Sequence, residues 1–540
     1  MGKLFYNKVV LSFLGLLIVL CLSCGTKKSG TVGVIDTDSK ALPAETKPEQ
    51  TEAKEPQIKQ PPAEKPETEP AGEVKEEKKA EEPPIVEAVN EPSNVVAKIG
   101  DYVITKEELE ERLMAKLQPD EYRMLSEQAA PVDAKTVLME MIAEKAMIME
   151  ARKQNLTERE TIRAPINRSK ERELLRMLLR GYVQDKVKVT ESEIEEKIKA
   201  DPNLSRDRIK AMLERAKANY LIEEYYNELY KKFNVQKVWD NFPKAAEIHQ
   251  RLLNNSRESQ KMKLIREDQV RNELTQEEKN LVLANFDYGT VTLKDWFDAL
   301  CEFSPPSRPR DLHTPAGVER LLDRALSKAV FVAEAELLGL DKDRNLLKQL
   351  KEEEDRRLLY EMANEQVKDI KGPTNEEEII AYFNRNKESF AIEKRIEIDQ
   401  IWCQDRKTAQ KVKAELDNGK DFESVRREYS LHKKGNPFIT APADEGMFFD
   451  DLWKGEPNEI VGPVKGFYRD GFKWRVVKIL EKKPSQIREY SSEMKEPAKW
   501  RMVSKQRNAA LAKYRQELLE KYNYEIYADR IKDIDPLNIP

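Results

Sequence analysis

The 540-residue sequence lacks the residue patterns that most enzyme chemistries need. Its three histidines, His249, His313 and His432, stand far apart and have no cysteine or carboxylate partners at metal-ligand spacing. No phosphate-binding loop or dinucleotide fingerprint occurs. The net charge is −5, and the basic segment 499–521 alternates Arg and Lys with Glu. We therefore expect no metal, no cofactor and no nucleic-acid partner.

Long apolar runs are also scarce, and the one that stands out lies at the N-terminus. Lys3 and Lys8 precede the run Val9–Leu22, which is too short to suggest a membrane-spanning helix. A basic start followed by a short apolar run is the layout of a signal peptide, here residues 1–23. The sequence thus predicts an exported protein.

Cysteine is rare too, with four in the chain, and one of them follows the apolar run. The stretch Leu22-Ser23-Cys24-Gly25 resembles the lipobox of bacterial lipoproteins, although Cys21 stands where that family usually has Leu. The resemblance implies lipidation of Cys24 and a membrane anchor of acyl chains, and plain secretion is the alternative. Because Gly25 rather than Asp follows the cysteine, it implies a periplasmic face, with the outer membrane favoured where one exists.

Residues 24–93 have almost no aromatic or branched side chains and repeat Pro, Glu and Lys. Such a segment cannot bury enough apolar surface to offset the entropy lost on ordering. We interpret it as a disordered tether.

The folded part is expected to begin with NVVAKIGDYVITKEELEERL, where two short strand patterns flank Gly100-Asp101. Thr105 and Glu108 fit a capping box at the start of a helix. Apolar residues at helical spacing in VLMEMIAEKAMIMEARKQNL predict a second helix with one buried face. Its four closely spaced methionines leave two interpretations open, core packing or an adaptable client-binding surface.

The same order of patterns returns later in the chain. The stretch LVLANFDYGTVTLKDWFDAL ends in another capping-box pattern, and residues 335–340 match residues 151–156 at an offset of 184. VTESEIEEKI then matches TNEEEIIAYF at an offset of 185, whereas YYNELYKKFNVQKV matches YRQELLEKYNYEIY at 289. These offsets indicate an internal duplication whose second copy contains an insert of about 100 residues.

The insert resembles a parvulin-type prolyl isomerase domain. The residues that carry the resemblance are Gly419-Lys420-Asp421-Phe422-Glu423, Glu428-Tyr429-Ser430, Glu459-Ile460-Val461-Gly462-Pro463-Val464 and Val476-Val477-Lys478. Their order over about 90 residues is more specific than any one of them. We expect two closing strands, the first ending at Gly462-Pro463 and the second running over 472–480.

The segments around the insert resemble the helical module of SurA-like and PrsA-like exported foldases. Together the resemblances imply an α+β protein, with duplicated SurA-N-like helical modules and an inserted parvulin-like α/β domain. The predicted helical modules are 94–240 and 281–389 with 495–530, joined by a helical connector 241–280, and the parvulin-like domain is 390–494. We expect helix 500–521 to pack on the second module, with Trp500, Val503, Leu511, Tyr514 and Leu518 on its buried side.

The resemblance also places the candidate site. The polar network of the family falls at Gln400, at His432 and at Trp474 or Arg475, and all three positions depart from the family pattern. The apolar pocket falls at Met447, Phe448 or Phe449, and Leu452-Trp453. For these aromatic residues, ordinary core packing is the alternative to a substrate groove, and for His432 it is a solvated loop. Catalytic residues are therefore left unassigned, and Met447, Phe448, Phe449 and Trp453 are the candidate substrate-binding residues.

The function implied is a membrane-tethered extracytoplasmic foldase or chaperone that binds unfolded or proline-containing exported polypeptides, with weak or absent isomerase activity. Two alternatives remain: an active peptidyl-prolyl isomerase, and a non-catalytic structural or assembly-factor lipoprotein. Cys301 and Cys403 would remain after lipidation, and we expect two separate thiols rather than a disulfide because they lie in different modules.

Overall fold

The structure is a computed structural model that describes residues 92–117, 133–255, 264–435, 437–469 and 471–535. The signal peptide, Cys24 and the tether predicted from the sequence lie outside these residues. The described chain is mainly helical, with three small antiparallel sheets, and is therefore an α+β protein. Its described residues divide into a central unit within 169–346 and a terminal unit within 92–168 and 347–535.

The strands are short except in one sheet. They are β1 (Val95–Ile99), β2 (Tyr102–Thr105), β3 (Gln236–Lys237), β4 (Val282–Phe286), β5 (Gly289–Thr292), β6 (Arg395–Cys403), β7 (Phe438–Thr440), β8 (Ile460–Tyr468), β9 (Gly471–Lys483) and β10 (Tyr524–Ile526). They form the sheets β10-β1-β2, β3-β4-β5 and β7-β6-β9-β8.

The α-helices of the first half are α1 (Lys106–Leu117), α2 (Ala134–Lys153), α3 (Glu160–Val183), α4 (Glu191–Ala200), α5 (Arg206–Lys232), α6 (Phe242–Asn255), α7 (Glu267–Glu273), α8 (Gln276–Lys279) and α9 (Leu293–Cys301). Those of the second half are α10 (Pro315–Leu337), α11 (Arg344–Val367), α12 (Glu376–Arg385), α13 (Arg406–Asp417), α14 (Phe422–Tyr429), α15 (Pro442–Glu445), α16 (Phe449–Trp453) and α17 (Lys495–Lys521).

In the terminal unit, the predicted opening hairpin and the helix after it are confirmed. Thr105 and Glu108 form the capping box, in which each side chain bonds the backbone N–H of the other residue. The α2 helix buries Leu138 and Ile142, and its Met141 and Met147 are buried in the same core. Of the two interpretations of the methionines, core packing is therefore the one observed.

The two small three-stranded sheets have the same register. In the terminal unit Ala97 pairs with Ile104 and Ile526, and in the central unit Ala284 pairs with Val291 and Lys237. Both hairpins carry an irregularity at the same place, between Val95 and Ala97 and between Val282 and Ala284. The hairpins therefore agree residue by residue.

In each unit, a buried carboxylate links two helices: α17 to α2 in the terminal unit, and α5 to α10 in the central unit. Lys521 Nζ on α17 lies 2.5 Å from Glu150 Oε2 on α2, and Tyr522 donates a hydrogen bond to the same oxygen at 2.7 Å. In the central unit, Lys232 Nζ on α5 lies 2.9 Å from Glu334 Oε2 on α10. Burial raises the pKa of Glu150, but the hydrogen bonds from Lys521, Gln154 and Tyr522 outweigh it and lower the pKa to about 2.

The expected partner of the last helix was wrong in part. Leu511, Tyr514 and Leu518 of α17 pack into a core that combines α2, from the first predicted module, with Leu358 and Met362 of α11, from the second. At the other end of α17, Ala498 packs with Ile379 of α12, and Trp500 is 58% exposed instead of buried. The reason is that β10, which follows α17, pairs with β1. The compact units thus cut across the modules predicted at 94–240 and at 281–389 with 495–530.

The core of the central unit is built around Trp296, which is fully buried. Its Nε1–H donates a hydrogen bond to the Val318 carbonyl at 2.9 Å, and its ring meets the rings of Phe297 and His249 edge to face. Burial, with smaller contributions from nearby cationic groups, lowers the pKa of His249 to about 4, so its imidazole is neutral at pH 7. In this core His249 acts as an aromatic packing residue.

Two further sequence-based points concern membranes and thiols. Within the residues that the structure describes, no helix is both long enough and apolar enough to cross a bilayer. Cys301 lies half-buried in the central unit, whereas the Cys403 thiol is buried in the terminal unit. Their positions in different units agree with two separate thiols.

Candidate functional site

The candidate site lies on the four-stranded sheet of the terminal unit. Side chains alternate between the two faces of this sheet. One face packs against α13 and α14 through Ile401, Cys403 and Val476. The opposite face carries Ile398, Val477 and Ile479 against α16. Along β6 and β9 this second face continues with polar residues, so the apolar packing gives way to a polar cleft.

The predicted strand ends needed one correction. Gly462-Pro463 does not end β8 but lies within it, where the pairing with β9 is irregular between Val461 and Val464. β9 extends to Lys483, beyond the predicted end at Leu480. Within β9, Arg475 pairs with Trp402 of β6.

The cleft encloses about 310 Å³. It is lined by Gln400, Trp402, Phe438, Ile439, Thr440, Asp444, Glu445, Phe467 and Arg475. Its apolar wall comes from β7 and β8, and its polar floor comes from β6, β9 and α15.

Arg475 forms the floor of the cleft. Its guanidinium is almost completely buried and pairs with Glu445 through both Nη atoms, with Nη2 lying 2.5 Å from Glu445 Oε2. Nη1 also donates to Gln400 Oε1 at 2.9 Å, and the guanidinium carbon lies 5.0 Å from the centre of the Trp402 ring. Four neighbouring groups therefore hold Arg475 in place, counting both carboxylate oxygens of Glu445.

Two small details show how closely the fold fits this arginine. A Cβ atom at Gly466 would lie 2.6 Å from Arg475 Cζ, so the guanidinium occupies space that only a glycine leaves open. Glu445, itself buried, also accepts a hydrogen bond from the Thr440 hydroxyl at 3.1 Å. The buried charge of Glu445 is thus paired and hydrogen-bonded, as burial of an ion requires.

A second buried arginine, Arg426 on α14, supports the loop beside the cleft. It forms ion pairs with Asp399 and Glu423 and donates to the Gly435 carbonyl at 3.0 Å. Because Asp399 is adjacent to Gln400 on β6, Arg426 ties the loop 431–435 to the strand that carries the cleft floor.

The structure brings together some of the sequence-predicted residues. Gln400 and Arg475 meet in the cleft, whereas Trp474 packs on the opposite face of the sheet. His432 is exposed on the loop after α14, with its backbone N–H donating to Ser430 Oγ at 3.1 Å. Of the two alternatives for the last-strand position, Arg475 is the one in the cleft.

The four predicted pocket residues occupy different places. Met447 is 39% exposed. Phe448 is buried against Phe467 and Phe472. Phe449 stacks with Trp453, with their ring centres 5.8 Å apart, in the core between α16 and the sheet face that carries Ile398, Val477 and Ile479. Phe448 therefore contacts a cleft-lining residue, while Phe449 and Trp453 support the sheet.

Sequence reasoning missed Glu445 and Arg426. Glu445 ends a four-residue helix within a loop rich in small residues, where nothing in the local pattern marks a buried charge. Arg426 lies beside Arg427 in α14, and only the helical period, which puts Val425 and Arg426 inward, distinguishes the two. This helical period was the one signal in the sequence that indicated the burial of Arg426.

The polar floor of the cleft is the ion pair of Arg475 and Glu445, in which the two charged groups bind each other. Rotation of an X-Pro bond needs an apolar surface for the ring and polar groups positioned at the twisted amide. Here both Nη groups of Arg475 donate to Glu445 or Gln400, whereas its buried Nε–H has no hydrogen-bond partner among the described residues. Burial raises the pKa of the Cys403 thiol to about 12, and Cys403 lies on the other sheet face. Among the described residues, no group of His, Cys, Asp and Glu side chains could hold a metal ion.

The wall of the cleft offers apolar surface instead. β7 is an edge strand of the sheet, and its Phe438 and Ile439 are 39% and 53% exposed. Large exposed apolar groups at a cleft are typical of surfaces that bind other polypeptides.

Comparison with known proteins yields solved structures but no sequence relatives. No protein-family profile and no curated protein matches the chain. A peptidylprolyl isomerase, PrsA, from Bacillus cereus is 18% identical and covers 34% of this chain and 67% of its own, with a TM-score of 0.20. A chain from the structural work on PEB4 and Cj1289, two structurally related SurA-like chaperones of Campylobacter jejuni, is 14% identical; the match covers 43% of this chain and 94% of that one, with a TM-score of 0.21.

PrsA from Bacillus subtilis is 18% identical and covers 45% of this chain and 93% of its own, with a TM-score of 0.14. At these TM-scores the likenesses carry no argument, and the case for function rests on the residues described above.

Proposed function

We propose that this protein is an extracytoplasmic foldase of the chaperone type, which binds unfolded or proline-containing exported polypeptides and has weak or no isomerase activity. The observation that carries the proposal is the buried pair of Arg475 and Glu445 in a cleft whose outer wall is apolar. Arg475 and Gln400, which are hydrogen-bonded to each other, occupy two of the positions where the resemblance to parvulins implies a polar catalytic network. The apolar wall supports binding, and the engaged arginine supports weak catalysis.

The proposal has an architectural part. The duplicated helical modules and the inserted parvulin-like domain, 390–494, are its scaffold, and the equal register of the two hairpins supports the duplication. The roles of the cleft residues follow from it: Phe438 and Ile439 contact the client, Arg475 closes the floor, and Phe448 supports the wall.

The first test measures two activities of the same protein. General acid–base and hydrogen-bonding groups often contribute about 10²–10⁴-fold to an enzymatic rate, so their loss leaves little acceleration of a proline-limited refolding reaction. We expect wild-type protein to suppress aggregation of an unfolded client while accelerating such refolding less than about tenfold. The double variant Phe438→Ala/Ile439→Ala should lose most of the suppression.

The matched control is Ile487→Ala, because Ile487 is 58% exposed but does not line the cleft. It should suppress aggregation as the wild type does. Strong isomerisation that the double variant abolishes would make the protein an active isomerase. Absence of both activities would favour the structural or assembly-factor lipoprotein.

The second test concerns the membrane. We propose that Cys24 is lipidated and that the tether 24–93 links the anchor to the folded units. Replacing the cysteine, Cys24→Ala, should shift the protein from the membrane fraction to the soluble fraction or leave an uncleaved precursor, because the acyl chains supply the anchoring energy. Normal processing of Cys24→Ala with continued membrane association would contradict lipidation, and Cys21→Ala serves as the control that should stay membrane-bound.

A further inference from the structure

Each small sheet is completed by a strand from far away in the chain. In the terminal unit, β10 closes the β1-β2 hairpin, and in the central unit, β3 closes the β4-β5 hairpin. We call 206–241 the first closing segment and 495–530 the second; each consists of a long helix, a short strand and a 3-10 helix. The two hairpins match each other in sequence and register, as do the two closing segments.

These matches define an exchange. The first hairpin and the first closing segment belong to the first copy, and the second hairpin and second closing segment belong to the second copy. If each copy closed on itself, β3 would pair with β1, and β10 with β4. The observed pairs are β10 with β1 and β3 with β4. Each hairpin is therefore closed by the other copy.

The contacts that hold the two exchanged segments are chemically equivalent. The Tyr527 N–H donates to the Val96 carbonyl at 3.0 Å, and the Val238 N–H donates to the Leu283 carbonyl at 2.9 Å. Lys521 pairs with Glu150 in one unit, and Lys232 pairs with Glu334 in the other. Both lysines come from a closing segment, and both glutamates come from the second α-helix after a hairpin, α2 or α10.

In each sheet, one further side-chain hydrogen bond joins the closing segment to the hairpin of the other copy. Arg530 Nη1 donates to the Val95 carbonyl at 2.5 Å, and Asn241 Nδ2 donates to the Val282 carbonyl at 2.7 Å. Each donor sits at the end of its closing segment, and each acceptor is the first residue of the opposite hairpin. The two interfaces thus repeat the same backbone bond, ion pair and side-chain anchor, which is the property of a two-fold interface between identical partners.

We propose that this chain is the single-chain equivalent of a strand-exchanged dimer, and that its two copies recognise each other without a covalent link. At each interface, one copy supplies the hairpin and the second helix after it, and the other copy supplies the closing segment. The proposal rests on the duplication and not on chaperone activity, so a failure of the aggregation assay leaves it unaffected.

The test cuts the full-length protein between the copies. A specific protease site is inserted in 256–263, between α6 and α7, and the purified protein is cleaved under native conditions. We expect both fragments to elute together in size-exclusion chromatography, at the volume of the uncut chain, because two exchanged sheets still join them. Fragments that separate or aggregate after the cut would overturn the proposal.

Paired cysteines then identify the partners, in a background where all four native cysteines are replaced by alanine. Lys98→Cys/Glu525→Cys and Gln236→Cys/Asn285→Cys place thiols at facing positions of exchanged strands. Oxidation by glutathione disulfide, which takes up the two electrons, should link the cut fragments on a non-reducing gel.

The matched control joins positions that would face each other only if each copy closed on itself, Lys98→Cys/Gln236→Cys and Asn285→Cys/Glu525→Cys. These pairs should stay reduced. Efficient disulfide formation in the control pairs, with none in the exchanged pairs, would show that each copy closes on itself and would overturn the proposal.

Discussion

Replacing Arg475 by methionine is expected to lower the free energy of unfolding of the terminal unit by about 3–5 kcal/mol, because the buried Glu445 carboxylate then loses its cationic partner. Total stabilities of folded domains are about 5–15 kcal/mol, so a loss of this size should markedly lower the urea concentration at the midpoint of unfolding. Urea-induced unfolding followed by near-ultraviolet circular dichroism measures it.

Two further variants show whether the unpaired charge is the cause. Arg475→Met/Glu445→Gln removes both charges and should regain a large part of the lost stability. Arg488→Met removes an exposed arginine of the same unit and should change the free energy of unfolding by less than about 0.5 kcal/mol. A double variant as unstable as Arg475→Met would attribute the loss to packing around Gly466 and Trp402.

Replacing Trp296 by alanine is expected to destabilise the central unit by a similar amount, about 3–5 kcal/mol. The indole is fully buried, packs edge to face on Phe297 at 5.0 Å and donates to the Val318 carbonyl. Its removal leaves a cavity and an unmade hydrogen bond. Thermal unfolding measured by calorimetry reports the change.

Trp239→Ala is the matched control in the same unit, because Trp239 is 56% exposed and its ring contacts only the edge of the core, at Phe242 and under Lys237 Nζ. Its cost should stay below about 1 kcal/mol. Equal destabilisation by the two variants would mean that the core of the central unit is not centred on Trp296.

Local features of the fold could be predicted from the sequence because their causes are local. The capping boxes at Thr105 and Thr292 formed as the spacing to Glu108 and Asp295 indicated. The buried face of α2 followed from its helical period. These features depend on neighbours within a few residues, which a sequence displays directly.

The exchange of closing segments could not be predicted in the same way. The matching sequences place β3 and β10 at equivalent points of the two closing segments, and the two hairpins share one register. The pattern therefore does not state which strand pairs with which hairpin, because both pairings would follow the same alternation.

The candidate site was predicted in part for a related reason. Gln400 and Arg475 could be placed because they lie on regular strands, where position along the strand fixes the face. Glu445 lies in a loop after β7, and its pairing with Arg475 across 30 positions depends on the path of that loop. Phe449 and Trp453 were assigned to the pocket by alignment, yet the helix α16 turns both of them toward the sheet.

The pairing of β1 with β10 bears on how the chain folds during its synthesis. Arg530 and Val95, which meet in the finished sheet, are 435 positions apart in sequence. Contacts of such high sequence separation form late and slow folding, because the intervening chain must first be closed into a loop. During synthesis the β1-β2 hairpin emerges before β10, and the edge of β1 that β10 covers stays unpaired until the end of the chain is made. An unpaired strand edge is open to pairing with other chains, so this early hairpin is also the part that stays longest at risk of aggregation.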